Sequence, residues 1–114
     1  MVKKDSYVPE RGDIAWINFA LSLEREQAGR RPALVLSSKQ YNNLVGLCIV
    51  CPITSKRKGY NFEVPVRVGE TNSVILSDHI RSIDWRNRRA DLISRIEPQI
   101  LAEVLENVRV LLSA

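Results

Sequence analysis

Residues 32–52 read PALVLSSKQYNNLVGLCIVCP, and this stretch decides the class of fold. Two apolar runs rich in β-branched residues, 32–37 and 44–51, predict two buried strands, the second ended by Pro52. The polar residues 38–43 between them predict a short helical turn capped by Ser37 or Ser38. The two strands are among many short strands at close spacing, a pattern that with a terminal helix implies a small, strongly curved sheet or closed barrel.

The flanking sequence extends this pattern. Residues 14–19 alternate, with Ile14 and Trp16 on one face, where Asn18 would continue the alternation. Residues 62–66 alternate around a proline that indicates an edge strand. Residues 71–73 predict a turn before a strand at 74–76, and 81–85 and 90–96 predict strands around an arginine-rich turn. From Pro98 onward, apolar residues recur at helical spacing. The expected fold is mostly β with added α, a curved sheet or closed barrel with a C-terminal amphipathic helix.

Composition is that of an ordinary globular protein. The chain has 114 residues, 45% hydrophobic and 26% charged, so we expect one domain over residues 1–114. No apolar run approaches the ~20 residues that span a bilayer, so no membrane association is expected. The N-terminal lysines precede no apolar stretch, which argues against a secretory signal and favours the cytoplasm.

Cys48 and Cys51 form the only C-x-x-C in the chain. A zinc site needs a second ligand pair, and His79 is the only histidine, so no metal or other cofactor is expected. A redox pair opens a helix, whereas these two residues lie in a predicted strand with their side chains on opposite faces. We interpret both as small core residues.

Positive charge is concentrated in the middle of the chain. The formal net charge is +4, and a basic triplet occupies 56–58 while five arginines fall within 81–95. Guanidinium groups suit bidentate contact with phosphate, so a nucleic acid is the favoured partner over a merely solvated basic surface. The polar stretch 20–30 predicts a long loop, and loops of this length in small domains are usually functional.

Six segments together resemble the MazF/PemK (Kid) family of toxin endoribonucleases, most closely its MazF branch. They are RGDI (11–14), EQAGRRPALVLS (26–37), YNN (41–43), CPITS (51–55), KGYNFEV (58–64) and LSDHIRSIDWR (76–86). The likeness covers nearly the whole chain, in the family's order and without large gaps.

The resemblance implies a small SH3-like β-barrel that forms a homodimer. It also implies metal-independent, sequence-specific cleavage of single-stranded RNA, typically mRNA. Attack by the 2′-hydroxyl would leave a 2′,3′-cyclic phosphate and a 5′-hydroxyl. The implied protein partners are a MazE-like antitoxin and, as a toxin–antitoxin complex, operator DNA.

By resemblance, Arg31 and Thr54 are the catalytic pair, and Glu26 is the nearby acidic residue. Their chemistry fits, because metal-free transesterification needs charge stabilisation and proton donors at the phosphate. Read from the residues alone, Arg31 is also a plausible phosphate anchor or ion-pair partner of Glu26, and Thr54 a loop cap. Arginine is essentially always protonated, so we assign Arg31 as stabiliser and general acid. The general base stays open, with a desolvated Glu26 as one candidate.

Two neighbouring residues are weighed against this assignment. The imidazole of His79 suits acid–base chemistry, but the family motif requires no histidine there, so a polar contact beneath the site is favoured. The Kid-type branch carries a catalytic arginine two residues before its aspartate, where this chain has Leu76. Asp78 is therefore expected to be a structural or substrate contact.

The remaining predicted RNA contacts combine cations, an aromatic ring and amides. Cations follow phosphates, aromatic rings stack on splayed bases, and amides read base edges. Trp16 and Trp85 are favoured as core or interface residues over stacking platforms. The predicted RNA-binding residues are Gln27, Asn42, Lys56, Arg57, Lys58, Tyr60, Asp78 and Arg86.

Two other functions stay open. The CcdB gyrase poisons share this barrel, so a non-catalytic inhibitor is one alternative, and it predicts no phosphate-directed Arg/Thr pair. A bare RNA-binding barrel is the other.

Overall fold

The computed structural model describes residues 7–20 and 29–113, and the strands of this part form one seven-stranded sheet accompanied by two helices. All strand pairs are antiparallel, in the order β4-β5-β3-β2-β1-β7, with β6 also paired to β3. The sheet curls into a half-barrel, so the predicted mostly-β class is confirmed. The elements are β1 (Asp13–Asn18), β2 (Arg30–Val35), α1 (Lys39–Val45), β3 (Leu47–Thr54), β4 (Glu63–Val68), β5 (Thr71–Leu76), β6 (Arg81–Asp84), β7 (Asp91–Arg95) and α2 (Pro98–Ser113).

Strand β3 pairs with three other strands. One edge pairs with β2, while the other pairs with β6 from Leu47 to Val50 and then with β5 at Ile53 and Thr54. The prediction that Pro52 ends this strand was wrong. Proline lacks an N–H, and here it lies between the segments that pair with β6 and β5, where that edge changes its partner.

The β4–β5 hairpin also differs from the prediction. Residues 71–73, predicted as a turn, belong to β5, and the turn is Gly69-Glu70 between the paired Val68 and Thr71. Gly69 has a φ of +60°, which glycine adopts without strain and which a two-residue hairpin needs at this position. Strand β4 ends the strand order, as its proline predicted.

Along the central strands, side chains are buried on both faces of the sheet. Ile14, Leu34, Cys51 and Ile53 join one cluster, covered by α2, and their neighbours Ile17, Ala33, Val35 and Cys48 join another. Both cysteines are therefore buried, unpaired and on opposite faces, which confirms their interpretation as core residues.

Both helices begin where sequence signals place them, but α1 continues through Leu44 and Val45, which were predicted to belong to the strand that follows. The Ser38 side chain accepts a hydrogen bond from the backbone N–H of Tyr41, and Gly46 ends α1 with a φ of +83°. Helix α2 begins at Pro98 and buries Val104 against the sheet. Neither described helix is long and apolar enough to cross a membrane.

Candidate active site

Arg31 and Thr54 meet where two neighbouring strands begin and end. Arg31 is the second residue of β2 and Thr54 the last of β3, and these strands pair Ala33 with Pro52. The same register, carried two residues beyond the last paired residues, places Arg31 opposite Thr54. The sheet thus brings the predicted pair together on a rigid support.

Both residues line a pocket of about 410 Å³, which we call the Tyr60 pocket. Five of the predicted site residues line it, and four of the five come from β3 and the loop that follows it. Residues Arg31, Thr54, Lys56, Lys58 and Tyr60 share this lining with Phe19, Pro52, Ile53, Glu63, Leu76, His79 and Arg81.

The Thr54 hydroxyl oxygen accepts a hydrogen bond from the backbone N–H of Lys56 at 3.1 Å. This is the loop-capping role that the residue types also allowed. A hydroxyl that accepts this bond still has its own proton to donate. Thr54 can therefore cap the loop and donate to a phosphate oxygen in the same conformation.

Glu63 holds the loop that carries the basic triplet. Its carboxylate accepts from the backbone N–H of Lys58 at 2.8 Å and of Gly59 at 2.9 Å. The hydrogen bond from Lys58, followed by the one from Gly59, lowers the pKa of Glu63 below its usual value despite partial desolvation. The hydrogen bonds to Glu63 of β4 thus fix the backbone of the loop that carries these lysine side chains.

Tyr60, Asp78 and His79 form a polar cluster, of which Tyr60 and His79 line the pocket. The Tyr60 hydroxyl donates to Asp78 Oδ1 at 3.0 Å, and His79 Nε2 lies 3.5 Å from that hydroxyl and 3.8 Å from Asp78 Oδ1. Burial, and then the hydrogen bond to Asp78, raise the pKa of Tyr60, so its hydroxyl keeps its proton. The His79 side chain is 52% exposed, so it lies at the pocket surface rather than beneath the site.

Arg81, Phe19 and Glu63 line the pocket but were missed by sequence reasoning. The Arg81 guanidinium carbon lies 5.1 Å from the centre of the Phe19 ring. Arg81 belongs to the arginine-rich stretch that the charge distribution singled out, so that signal was available. Phe19 and Glu63 carry no comparable signal, because their positions depend on how β1 and β4 are joined to β3 through β2 and β5.

The structure contradicts the prediction that the Asn42 side chain reads a base edge. Its side chain is 0% exposed and its amide donates to the carbonyls of Pro9 and Ser37, while its Oδ1 accepts from the Ser37 hydroxyl. A side chain buried and bonded in this way cannot read a base edge. It joins α1 to the N-terminal segment instead.

Arg86 and Arg57 lie apart from this pocket. The Arg86 guanidinium carbon sits 4.9 Å from the centre of the Trp85 ring, beside a different depression formed with Arg30 and Arg89. Arg57 is exposed on the basic loop. It is absent from the described residues that line the Tyr60 pocket. Glu26 and Gln27 fall outside the described residues.

The two tryptophans differ in burial. Trp85 is 3% exposed and donates its Nε1–H to the Asn42 carbonyl at 2.9 Å, which confirms it as a core residue. Trp16 is 41% exposed on β1.

In the part of the chain that the structure describes, no group of three or more His, Cys, Asp or Glu side chains is arranged to hold a metal ion.

Comparison with known proteins identifies the family to which this chain belongs. Residues 10–112 match the model of the PemK-like, MazF-like toxins of type II toxin–antitoxin systems. The endoribonuclease toxin MazF of Escherichia coli K12 is 42% identical over 93% of this chain and 96% of its own, and the endoribonuclease toxin ChpB of the same strain is 34% identical over 92% and 93%.

Solved structures agree as well. MazF of Deinococcus radiodurans superposes with a TM-score of 0.83 at 47% identity, covering 95% of this chain and 99% of that one. The MazE–MazF complex of the same organism contains a chain with a TM-score of 0.81 at 45% identity, covering 93% and 96%. The chain therefore belongs to the PemK-like, MazF-like toxin family of type II toxin–antitoxin systems.

Proposed function

We propose that this chain is an endoribonuclease toxin that cleaves single-stranded RNA, typically mRNA in the cytoplasm, without a metal ion and at specific sequences. The observation that carries the proposal is the meeting of Arg31 and Thr54 in one cationic pocket. Relatives named endoribonuclease toxins at 42% and 34% identity support it. The CcdB-like alternative predicts no such pair, and a bare RNA-binding barrel needs none.

The proposed reaction is an internal transesterification. The ribose 2′-oxygen attacks the adjacent phosphorus, the bond from phosphorus to the 5′-oxygen breaks, and a 2′,3′-cyclic phosphate and a 5′-hydroxyl result. The 2′-hydroxyl proton passes to a base, and the leaving 5′-oxygen takes up a proton. In this scheme the Arg31 guanidinium neutralises the phosphorane and acts as general acid, while the Thr54 hydroxyl donates to a phosphate oxygen. Glu26 and His79 are the two candidates for the base.

RNA approaches this pocket along a cationic rim. Lys56, Lys58 and Arg81 line the pocket with Arg31, and Tyr60 offers an aromatic ring held by Asp78. Cations that contact the backbone and rings that stack on bases are the usual means of binding single strands. We propose that Gln27 also contacts RNA, and that Arg57 and Arg86 contact RNA outside this pocket.

The proposed partners follow from the family and from the surface. The structure of a MazE–MazF complex supports a MazE-like antitoxin, whose acidic tail would occupy the RNA path and cover Arg31. We further propose that the toxin–antitoxin complex binds operator DNA. The whole chain would act as one domain and as one subunit of a homodimer, with RNA passing along the interface.

The test is cleavage of a long RNA in the presence of EDTA. We expect cutting at a small set of short sequences, with cyclic-phosphate and 5′-hydroxyl ends identified by mass spectrometry. The chain after heating and removal of aggregates serves as the control for contaminating nucleases. Activity that disappears with EDTA and returns with Mg²⁺ would contradict the proposal.

A further inference from the structure

A second depression adjoins the Tyr60 pocket. It has a volume of about 380 Å³, and we call it the Trp16 pocket. Both depressions are lined by Arg31, Ile53, Thr54 and Lys56, which therefore form the wall between them. The proposed catalytic pair stands on this shared wall rather than at the bottom of one cavity.

The chemistry of an RNA substrate suggests what these two adjoining pockets would bind. Every phosphodiester joins two nucleosides, and these leave the phosphate in different directions. A phosphate held by Arg31 and Thr54 on the wall therefore sends one nucleoside toward the Tyr60 pocket. The other nucleoside is directed toward the Trp16 pocket.

The lining of the Trp16 pocket suits a nucleobase. Trp16, Pro32 and Val68 supply apolar surface, and Ser55, Thr71 and Ser73 carry hydroxyl groups. Among the described residues that line it, only Arg31 and Lys56 are charged, and both are cations. A base has an apolar face that stacks and a polar edge that forms hydrogen bonds, and no described carboxylate in this lining would repel its phosphates.

Trp16 itself is exposed where a strand residue of its size is normally covered. It lies on β1, paired with Pro32 of β2, and is 41% exposed, against 3% for Trp85. An indole held by a central strand and open to a pocket is a preformed stacking surface.

We propose that the Trp16 pocket is a second nucleobase subsite, in which the indole of Trp16 stacks on the base on one side of the scissile phosphate while the Tyr60 pocket takes the base on the other side. This inference rests on the proposed endoribonuclease function and extends it to the substrate. It makes Trp16 a residue that binds and selects RNA without taking part in the chemical step.

The test uses a short RNA containing a mapped cleavage site, with a 2′-deoxynucleotide in place of the attacking ribose so that it binds without being cut. We expect Trp16→Leu to weaken its binding roughly 5- to 100-fold, the range for loss of a stacking aromatic ring. Trp16→Phe, which keeps a ring, should stay within a few-fold of the wild type. The emission of the buried Trp85 reports that each variant is folded.

Abasic substitutions then identify the stacked base. Removing the base on one side of the scissile phosphate should weaken binding to the wild type but not to Trp16→Leu, whereas removing the other base should weaken both equally. Equal losses in both proteins at both positions, or unchanged binding by Trp16→Leu, would overturn the subsite.

Two further outcomes are distinguishable. A Trp16→Leu protein that sediments differently from the wild type, with Trp16→Phe unaffected, would show Trp16 to be an interface residue and overturn the subsite. A wild-type chain that cleaves no RNA would contradict the proposed function, and the subsite with it.

Discussion

At the scale of single residues, Thr54 makes one hydrogen bond with its hydroxyl oxygen and keeps the hydroxyl proton for a second. Its oxygen accepts from the Lys56 N–H and fixes the first residues of the basic loop. Its proton remains for the substrate. Arg31 lines the same pocket and brings a guanidinium with several N–H donors, so the pair offers a phosphorane positive charge and donors already in place.

The buried thiols give a prediction for the pH dependence of stability. Burial raises the pKa of Cys48 and Cys51 from about 9 to about 12. The unfolded chain then releases these protons at lower pH than the native chain does. Their contribution to the free energy of unfolding is complete below pH 9 and is lost as the pH rises through 12.

Denaturant unfolding of the wild type and of the double variant Cys48→Ala/Cys51→Ala measures this. The free energy of unfolding should fall more steeply with pH in the wild type, since alkaline titration of the tyrosines and lysines is common to both proteins. Equal slopes for the two proteins would contradict the raised pKa values.

Residue type and spacing predicted the catalytic pair but not every contact. Asn42 lies in a family-like YNN and looks like a base reader, yet it is buried because α1 packs it against the N-terminal segment. Trp16 resembles a core residue in an alternating strand, yet it opens onto a pocket. Such differences depend on which elements cover a strand, and that depends on contacts distant in sequence.

At the scale of elements, the basic loop owes its shape to β4. The Glu63 carboxylate binds two successive backbone N–H groups, and the loop points Lys56 and Lys58 toward the Tyr60 pocket while Arg57 lies outside its lining. We therefore expect these three adjacent cations to contribute unequally to RNA binding.

This inequality is measurable in the salt dependence of RNA binding. Each lysine that contacts a phosphate contributes ~0.7 to the slope of log affinity against log salt for a single strand. We predict that Lys56→Ala and Lys58→Ala each lower the slope by about that amount. Arg57→Ala is the matched control on the same loop and should lower it less. Equal effects of the three substitutions would show that the loop binds RNA as an unstructured charge cluster.

Element positions were predicted best where local signals are strong. The Ser38 cap, the proline at the start of α2 and the apolar spacing along that helix all correspond to the structure. The prediction that Pro52 ends the strand was wrong because the effect of a proline depends on which strand β3 pairs with at that point. The turn at Gly69-Glu70 was missed because the polar residues after it also resemble a turn.

At the scale of the whole molecule, the described surface carries exposed apolar side chains. Leu44 on α1 and Leu112 on α2 are 83% and 75% exposed, and Val45, Leu92 and Leu111 are also exposed. These exposed apolar side chains are available to the interface of the proposed homodimer.

Analytical ultracentrifugation tests the association directly. We predict a dimer at micromolar concentration for the wild type, and also for Arg31→Ala, since that exposed side chain serves the site and not the fold. A chain that sediments as a monomer at the concentration at which it is fully active would contradict a dimeric RNA path.

The central claim is that Arg31 and Thr54 act on the transition state of RNA cleavage. The most direct measurement compares the single-turnover cleavage rate and the RNA affinity of Arg31→Ala and Thr54→Ala with those of the wild type, using Arg67→Ala on the exposed side of β4 as a control. The account predicts a loss of ~100-fold or more in rate for each site variant, with affinity changed far less and the control unaffected. Site variants that cleave at near wild-type rates, or that lose affinity as much as rate, would contradict it.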